Sequence, residues 1–241
     1  MSDTLLIQSH RTPLPSAWIE RCLTSVRDWA RQSDFEYRFM GDEIFAMLSA
    51  EVRKKVLSQP VVAADLARLL ALRAALDEGY DTTIWCDADF LVFAPDQLDL
   101  PAETYALGRE VWVSDHRGTP RAYVKVHNAF LMFRQGNPFL DFYIHAAERM
   151  VARHEGPMAP QFIGPKFLSV IHNIVGCPVA EQAAMLSPQV IRDLLVGGGP
   201  ALSLFHSHSS SEPAAANLCA SLAASGEISD HDIDAVITLL L

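Results

Sequence analysis

The sequence predicts an α/β fold with a mainly parallel central sheet flanked by helices. Segments typical of strands and of helices alternate along the chain, which favours parallel strands joined by helices. Half of the 241 residues are hydrophobic, enough to bury a large core. One low-complexity stretch is present, residues 207–213, and the 28 residues after it are too few for a second domain. We therefore predict one domain over residues 1–241, with residues 207–241 forming a mobile loop and a helical tail.

The first half of the chain shows the alternation most clearly. Apolar residues recur at helical spacing after Ser16, a plausible N-cap, and a later helix rich in Leu and Ala ends at Gly79. The predicted elements are a strand at 4–8, a helix at 15–31, a strand at 35–40, a helix at 43–57 that Pro60 ends, a helix at 61–78, and an apolar strand within 81–93.

The second half of the chain continues the pattern with longer gaps. Ser187 and Pro188 supply a cap and a first-turn proline for one helix. The predicted elements are strands at 111–114, 124–133 and 201–206, helices at 139–153, 164–173 and 187–195, and one or two helices after residue 213, with Ser229 and Asp230 as caps for the last.

Two carboxylates interrupt the apolar strand in residues 81–93. Asp87 and Asp89 are separated by one residue, so they share a face if the strand stays regular and flank a bend if the chain turns there. Buried charges are costly unless they are paired or bind a metal. In a parallel sheet, ligands bind beyond the carboxyl ends of the strands, where this pair lies. A divalent cation could bridge the two side chains to a phosphate.

The helix before this strand carries an acid inside its apolar face. Asp65 falls among the leucines of that face, and Arg68 lies at its edge one turn later. The two residues could form an ordinary surface ion pair, or Asp65 could be a buried acid that binds a ligand with its basic partner. Helix geometry alone leaves both interpretations open.

The segment from Asp65 to Asp89 resembles the GT-A-type glycosyltransferases with a DXD motif, the family that contains mannosyltransferase-like enzymes and the clostridial glucosylating toxins. The resemblance rests on Ala64-Asp65-Leu66-Ala67-Arg68 on a helix, followed by Asp87-Ala88-Asp89 after an apolar strand. Asp87-Ala88-Asp89 also resembles the glycogenin-like, galactosyltransferase-type group. The resemblance to GT-A-type glycosyltransferases implies a GT-A (Rossmann-like) fold. It also implies a metal-dependent transfer of sugar from a UDP- or GDP-sugar donor to an unknown hydroxyl acceptor.

The resemblance also implies roles for individual residues. Asp65 and Arg68 would bind the donor sugar, and Asp87 and Asp89 the ribose and Mn²⁺ or Mg²⁺. Asn128, on the strand after the DXD region, would face the sugar, and Lys166, in Gly164-Pro165-Lys166, would lie near the active site and could touch a phosphate oxygen. A C-terminal histidine often completes the metal site in such enzymes. His206 and His208, at the end of the predicted strand 201–206 and just after it, are therefore further candidates for metal ligands. No residue is assigned as a catalytic base or nucleophile.

Other functions are weighed against this one. Asp87 and Asp89 after an apolar strand also resemble the nucleophile loop of haloacid-dehalogenase-type phosphatases, although no later Gly-Asp-x-x-x-Asp follows. A non-catalytic protein that binds a nucleotide sugar is the third possibility. The net charge of −10 argues against general binding of nucleic acid or anionic membranes. No apolar run approaches the ~20 residues that span a bilayer, and no signal peptide is visible, so we expect a cytoplasmic protein without a membrane span.

Overall fold

The structure is a computed structural model that describes residues 2–56 and 58–241. Nine strands are described within those ranges: β1 (Thr4–Ser9), β2 (Glu36–Met40), β3 (Thr82–Cys86), β4 (Phe90–Val92), β5 (Tyr105–His116), β6 (Thr119–Arg134), β7 (Val179–Ala180), β8 (Ala183–Met185) and β9 (Ala215–Asn217). The helices of the same residues are α1 (Ala17–Gln32), α2 (Ala50–Val56), α3 (Pro60–Asp77), α4 (Pro138–Arg153), α5 (Pro165–Val175), α6 (Pro188–Leu195), α7 (Pro200–His208), α8 (Ala220–Ala224) and α9 (Asp230–Leu240).

A six-stranded sheet forms the centre, in the order β2-β1-β3-β6-β5-β7. Strand β1 pairs parallel with β2 and β3, and β5 pairs parallel with β7. Strand β6 pairs antiparallel with both β3 and β5, so it runs against the other described strands of this sheet. The prediction of an α/β fold with a mainly parallel central sheet is confirmed.

Side-chain alternation along β1 divides the core between the two faces of this sheet. Leu5 and Ile7 pack on the face covered by α3 and α4, where Leu66 and Tyr143 are fully buried. Leu6 points the other way and packs against α1, whose Trp29 is buried beside it. Both faces of a largely parallel sheet must be covered, which explains the nearly continuous apolar sequence of β1 and β3.

A second, three-stranded sheet of short strands lies beside residues 87–89, in the order β4-β9-β8. Strand β9 pairs antiparallel with β4 and parallel with β8. The sequence did not predict β8 and β9, and it predicted β3 and β4 as one run. The chain instead turns at residues 87–89 between those two strands.

Two predicted elements are wrong in detail. The helix expected at 43–57 is divided into a 3₁₀ turn, Asp42–Met47, and α2, because Leu48 adopts an extended conformation and the Ser49 hydroxyl accepts from the Val52 N–H at 3.3 Å to start a new helix. Residue 57, the expected end of the helix, lies outside the described residues.

The strand expected at 201–206 is the helix α7. The Asp193 carboxylate accepts hydrogen bonds from the N–H groups of Ala201 and Leu202 at 2.7 and 3.0 Å, and so caps the free N–H groups of the first turn. Pro200 occupies the start of that helix, where a missing N–H costs little. The other predicted helices and strands lie within or overlap described elements.

The C-terminal part contains β9, α8 and α9 after an irregular segment at 209–214. Helices α8 and α9 lie within the expected tail, while the single domain, the mobile loop and the tail stay predictions. No helix in residues 2–56 and 58–241 combines the length and apolarity that crossing a bilayer requires.

Candidate functional site

Asp87 and Asp89 flank a bend at the carboxyl end of β3. Hydrogen bonds hold the backbone of this bend: the Asp87 N–H donates to the Ala129 carbonyl at 2.9 Å, and the Gln8 side-chain amide donates to the Asp87 carbonyl at 3.0 Å. The Leu218 N–H donates to the Asp89 carbonyl at 3.0 Å. Strands from three parts of the chain therefore fix the positions of the two carboxylates.

Arg68 on α3 links this helix to the bend at residues 87–89. Its guanidinium lies 3.2 Å from Asp65 Oδ1 and 2.9 Å from Asp87 Oδ1, and it donates to the Asn128 carbonyl at 2.8 Å. The side chains of Asp65 and Arg68 are only 4% and 8% exposed, so a solvated surface pair is excluded. The structure thus brings together four predicted site residues, Asp65, Arg68, Asp87 and Asn128.

The Trp85 side chain completes the surroundings of this guanidinium. Its indole N–H donates to Asp87 Oδ1 at 2.6 Å, and the Arg68 guanidinium carbon lies 5.2 Å from the centre of its ring. A cation over an aromatic face is attracted by the ring's quadrupole. Asp87 Oδ1 therefore receives two donors, while no described residue donates to Asp87 Oδ2.

Asp65 is a buried acid with one satisfied and one unsatisfied oxygen. Oδ1 accepts from the Asn128 side-chain amide at 2.8 Å, but Oδ2 is buried without a hydrogen-bond partner among the described residues. Burial raises the pKa of Asp65 to about 6, although the positive charge of Arg68 and the hydrogen bond from Asn128 oppose the rise. An unsatisfied buried acceptor is rare in folded proteins and indicates a missing partner.

Gly164 lies directly against this unsatisfied oxygen. A Cβ atom at Gly164 would lie 2.7 Å from Asp65 Oδ2 and 2.9 Å from the Asn128 side-chain nitrogen. The segment before α5 therefore approaches Asp65 more closely than any residue with a side chain could. Its neighbours Pro165 and Lys166 border a cavity that also contains Asp87 and Asp89.

Asp89 is held by the C-terminal part of the chain. The Asn217 side-chain amide donates to Asp89 Oδ1 at 2.7 Å, and the Ala220 N–H donates to Oδ2 at 2.6 Å. Burial raises the pKa of Asp89, the charge of Asp87 raises it further, and these two hydrogen bonds lower it. Two adjacent carboxylates that repel each other gain free energy from a bound cation.

Asn217 is a site residue that the sequence reasoning missed. It ends β9 after the small apolar residues Ala214, Ala215 and Ala216, just as Asp87 follows the apolar strand β3. It is almost fully buried and lines the same cavity as Asp89. A polar residue at the end of a short apolar run was the available signal.

Two cavities meet at Asp87 and Asp89. The smaller has a volume of about 190 Å³ and is bordered by the exits of β1 and β3, with Ser9, His10 and Phe45 in its lining. The larger has a volume of about 870 Å³ and includes Lys166 and Asn217. Asp87 and Asp89 therefore line both cavities.

His206 and His208 are not brought to this site. Both are on the helix α7 rather than after a strand, and residues two apart on a helix point about 200° apart instead of sharing a face. His206 lies 3.6 Å from Glu212, the ring of His208 contacts the Leu204 carbonyl at 2.9 Å, and neither borders the two cavities. The strand on which their expected metal role depended does not form.

The site offers few protein ligands for a metal ion. Within residues 2–56 and 58–241 no group of three or more His, Cys, Asp or Glu side chains could hold a metal ion by itself. Asp87 and Asp89 remain, because the Asn217 side-chain nitrogen donates to Asp89 while its oxygen accepts from the Cys219 N–H at 2.8 Å. Mg²⁺ commonly binds through one or two carboxylates, with water and substrate phosphates as its other ligands, and this arrangement suits such a site.

Comparisons with known proteins identify the fold. No protein-family model matches the sequence, and no curated protein matches it either. A glycosyltransferase involved in the glycosylation of the major capsid of PBCV-1 is similar in structure, with a TM-score of 0.52 and 11% identity, over 98% of this chain and 99% of that one. The galactosyltransferase LgtC, solved with donor and acceptor sugar analogs, matches more weakly, with a TM-score of 0.45 and 11% identity over 90% of this chain and 87% of that one. The chain therefore has the fold of a glycosyltransferase structure over nearly its whole length.

Proposed function

We propose that this chain is a metal-dependent glycosyltransferase that takes a sugar from a UDP- or GDP-sugar and transfers it to a hydroxyl acceptor. The observation that carries the proposal is the position of Asp87 and Asp89 at the junction of two cavities, linked through Arg68 to the buried acid Asp65. The fold, which a known glycosyltransferase structure shares, supports the same reaction class.

The residues around the bend suit Mn²⁺ or Mg²⁺. Asp87 and Asp89 would hold the ion, since Asp87 Oδ2 accepts no hydrogen bond from a described residue, and the Asn217 amide holds Asp89 in place. When bound, such an ion neutralises the charge that develops on a departing diphosphate.

Other residues of the site would bind the sugar, the ribose and the phosphates of the donor. Asp65 would bind the donor sugar, and because Gly164 covers its unsatisfied Oδ2 and the residue borders neither cavity, a sugar hydroxyl reaches this oxygen only when the segment before α5 moves away. Asn128 orients this carboxylate through its amide, and Arg68 holds Asp65 and Asp87 at a fixed separation. Asp87 would also bind ribose, and Lys166, on the lining of the larger cavity, would bind a phosphate oxygen.

A phosphatase of the haloacid-dehalogenase type gains no support from the site. In that chemistry the first aspartate attacks phosphorus. Here the ion pair with Arg68 withdraws negative charge from the Asp87 carboxylate, and the later Gly-Asp-x-x-x-Asp of that family is absent from the sequence.

One assay distinguishes the candidate functions. The full chain is incubated with Mn²⁺ and a panel of UDP- and GDP-sugars, and free nucleoside diphosphate is measured. We expect release from at least one donor. Phosphate release from simple monoesters with every sugar donor intact would instead indicate a phosphatase. Thermal stabilisation by a donor without turnover would indicate a binding protein.

A further inference from the structure

Part of the lining of the larger cavity has no role in the proposed binding of the donor. Part of its lining is one face of the β5–β6 hairpin, where Glu110 lies opposite Lys125 across the ladder and Trp112 lies beside them on the same face. The alternating residues Val111 and Val113 point to the other face and are buried in the core. The hairpin therefore presents a carboxylate, an ammonium group and an indole to the cavity.

Glu110 is nearly buried but poorly paired. Its residue is only 8% exposed, and its nearest cationic partner, the Lys125 ammonium, is 3.8 Å away. No described residue donates a hydrogen bond to its carboxylate. Burial raises the pKa of Glu110, which Lys125 opposes only in part. Buried carboxylates are normally hydrogen-bonded. The carboxylate oxygens of Glu110 are therefore able to accept hydrogen bonds from a ligand in the cavity.

Glu110 also lies close to the DXD bend. The pKa of the Cys219 thiol is raised first by burial and then by the charges of Asp89, Glu110 and Asp87. Glu110, Asp87, Asp89 and Cys219 all line the larger cavity. A ligand that touches Glu110 is therefore close to the position where a donor sugar would react.

We propose that this larger cavity is the acceptor site and that the acceptor is a carbohydrate, with Trp112 stacking on its ring and Glu110 accepting a hydrogen bond from its hydroxyl; the inference rests on the proposed glycosyl transfer. A sugar presents an apolar ring face and a polar edge. Trp112 matches the first, and Glu110 and Gln161 match the second. A volume of about 870 Å³ is in the range of small-ligand sites.

The test measures sugar binding apart from donor binding. Saturation-transfer NMR on the full chain uses methyl glycosides of glucose, galactose, mannose and N-acetylglucosamine, and lactose, maltose and cellobiose, at millimolar concentration. UDP and GDP with Mn²⁺ are titrated into the same samples. The variants are Trp112→Ala and Glu110→Gln, and their controls are Phe142→Ala and Glu103→Gln, which replace an exposed aromatic and an exposed acid away from the cavity.

We expect at least one sugar to bind the wild type. Its Kd should rise about tenfold in Trp112→Ala and about fivefold in Glu110→Gln, with no change in the controls or in nucleotide binding. Nucleotide binding without binding of any sugar on the panel, or sugar binding that both variants retain, would overturn the acceptor assignment alone. A serine- or threonine-containing peptide that accepts the sugar while none of these carbohydrates does would also overturn it. Failure of every nucleotide and donor would instead overturn the proposed function. Circular dichroism of each variant verifies that it is folded.

Discussion

Removal of the Arg68 guanidinium would leave two acids at the centre of the site without their shared partner. Arg68→Met keeps a long apolar stem in the same space, so the change removes charge and hydrogen bonds more than volume. It deletes the contacts at 3.2 Å to Asp65 and 2.9 Å to Asp87, together with the donor to the Asn128 carbonyl. Loss of one partner from a buried ion pair costs about 3–5 kcal/mol, and we expect a decrease in that range in the free energy of unfolding at pH 8.

The decrease in the free energy of unfolding caused by Arg68→Met should depend on pH. The folded-state pKa of Asp65 is already raised, to about 6, so the folded protein holds this proton more tightly than the unfolded chain. Stability therefore falls as the pH rises from about 4 to about 6. Arg68 lowers the pKa of Asp65, and without it that pKa rises further. The fall then extends above pH 6, and Arg68→Met should lose less stability at pH 5 than at pH 8.

Urea unfolding at pH 5 and pH 8 measures both quantities. Arg73→Met is the matched control, because Arg73 is on the same helix but is 40% exposed and pairs with Asp77 and Asp141 at the surface. The control should change the free energy of unfolding by less than about 1 kcal/mol at either pH. A loss in Arg68→Met no larger than the control's, or one equal at the two pH values, would refute the assignment of Arg68 as the partner of a buried, partly protonated acid.

Two further substitutions test the packing around the site and the start of α4. Gly108→Ala places a Cβ inside the contact distance of the buried His127 ring and should lower the free energy of unfolding, measured in urea, by about 1–3 kcal/mol. The control Gly41→Ala meets only the movable Glu43 carboxylate and should lower it little. Equal decreases in the two variants would contradict the packing at Gly108. Asn137→Ala removes an N-cap that accepts from the N–H groups of Phe139 and Leu140 at 2.7 and 3.2 Å, and should lower the free energy of unfolding by about 0.5–2 kcal/mol. Ser187→Ala, at the same position of α6 but without a side-chain cap, should lower it less, and the opposite order would count against the capping role.

The centre of the site could be predicted because its residues lie within strong local patterns. Asp65 and Arg68 occur on a helix rich in Leu and Ala, and Asp87 and Asp89 follow an apolar strand. Both patterns fix where a side chain points from its own few neighbours. Asn128 was predicted from the family resemblance instead, because residues 126–133 of β6 are all buried and show no alternation.

The C-terminal contribution depends on contacts between distant parts of the chain. Strand β9 is Ala-Ala-Asn, a sequence with low strand propensity, and it is a strand because β4 and β8 pair with it on both sides. Asn217 therefore reaches Asp89 through pairing that no local pattern encodes.

The error at residues 201–206 has a similar cause. Leu202 and Leu204 alternate with Ser203, as in a strand, but the carboxylate of Asp193, from the preceding helix α6, caps the first turn and favours a helix. The expected histidine ligands followed from that wrong element. Glu110 was missed for a simpler reason, because the predicted strand began one residue after it while β5 begins at Tyr105.

The central claim, that Asp87 and Asp89 hold a cation shared with the donor's diphosphate, is tested most directly by the rate of nucleoside diphosphate release from the preferred donor. The rate is measured for wild type with Mn²⁺, for wild type after treatment with a chelator, and for Asp89→Asn, with Asp99→Asn in an exposed loop as the matched control. We expect at least about a hundredfold loss without metal and in Asp89→Asn, recovery when Mn²⁺ is returned to the wild type, and full activity in Asp99→Asn. An undiminished rate in the chelated wild type and in a folded Asp89→Asn would contradict it.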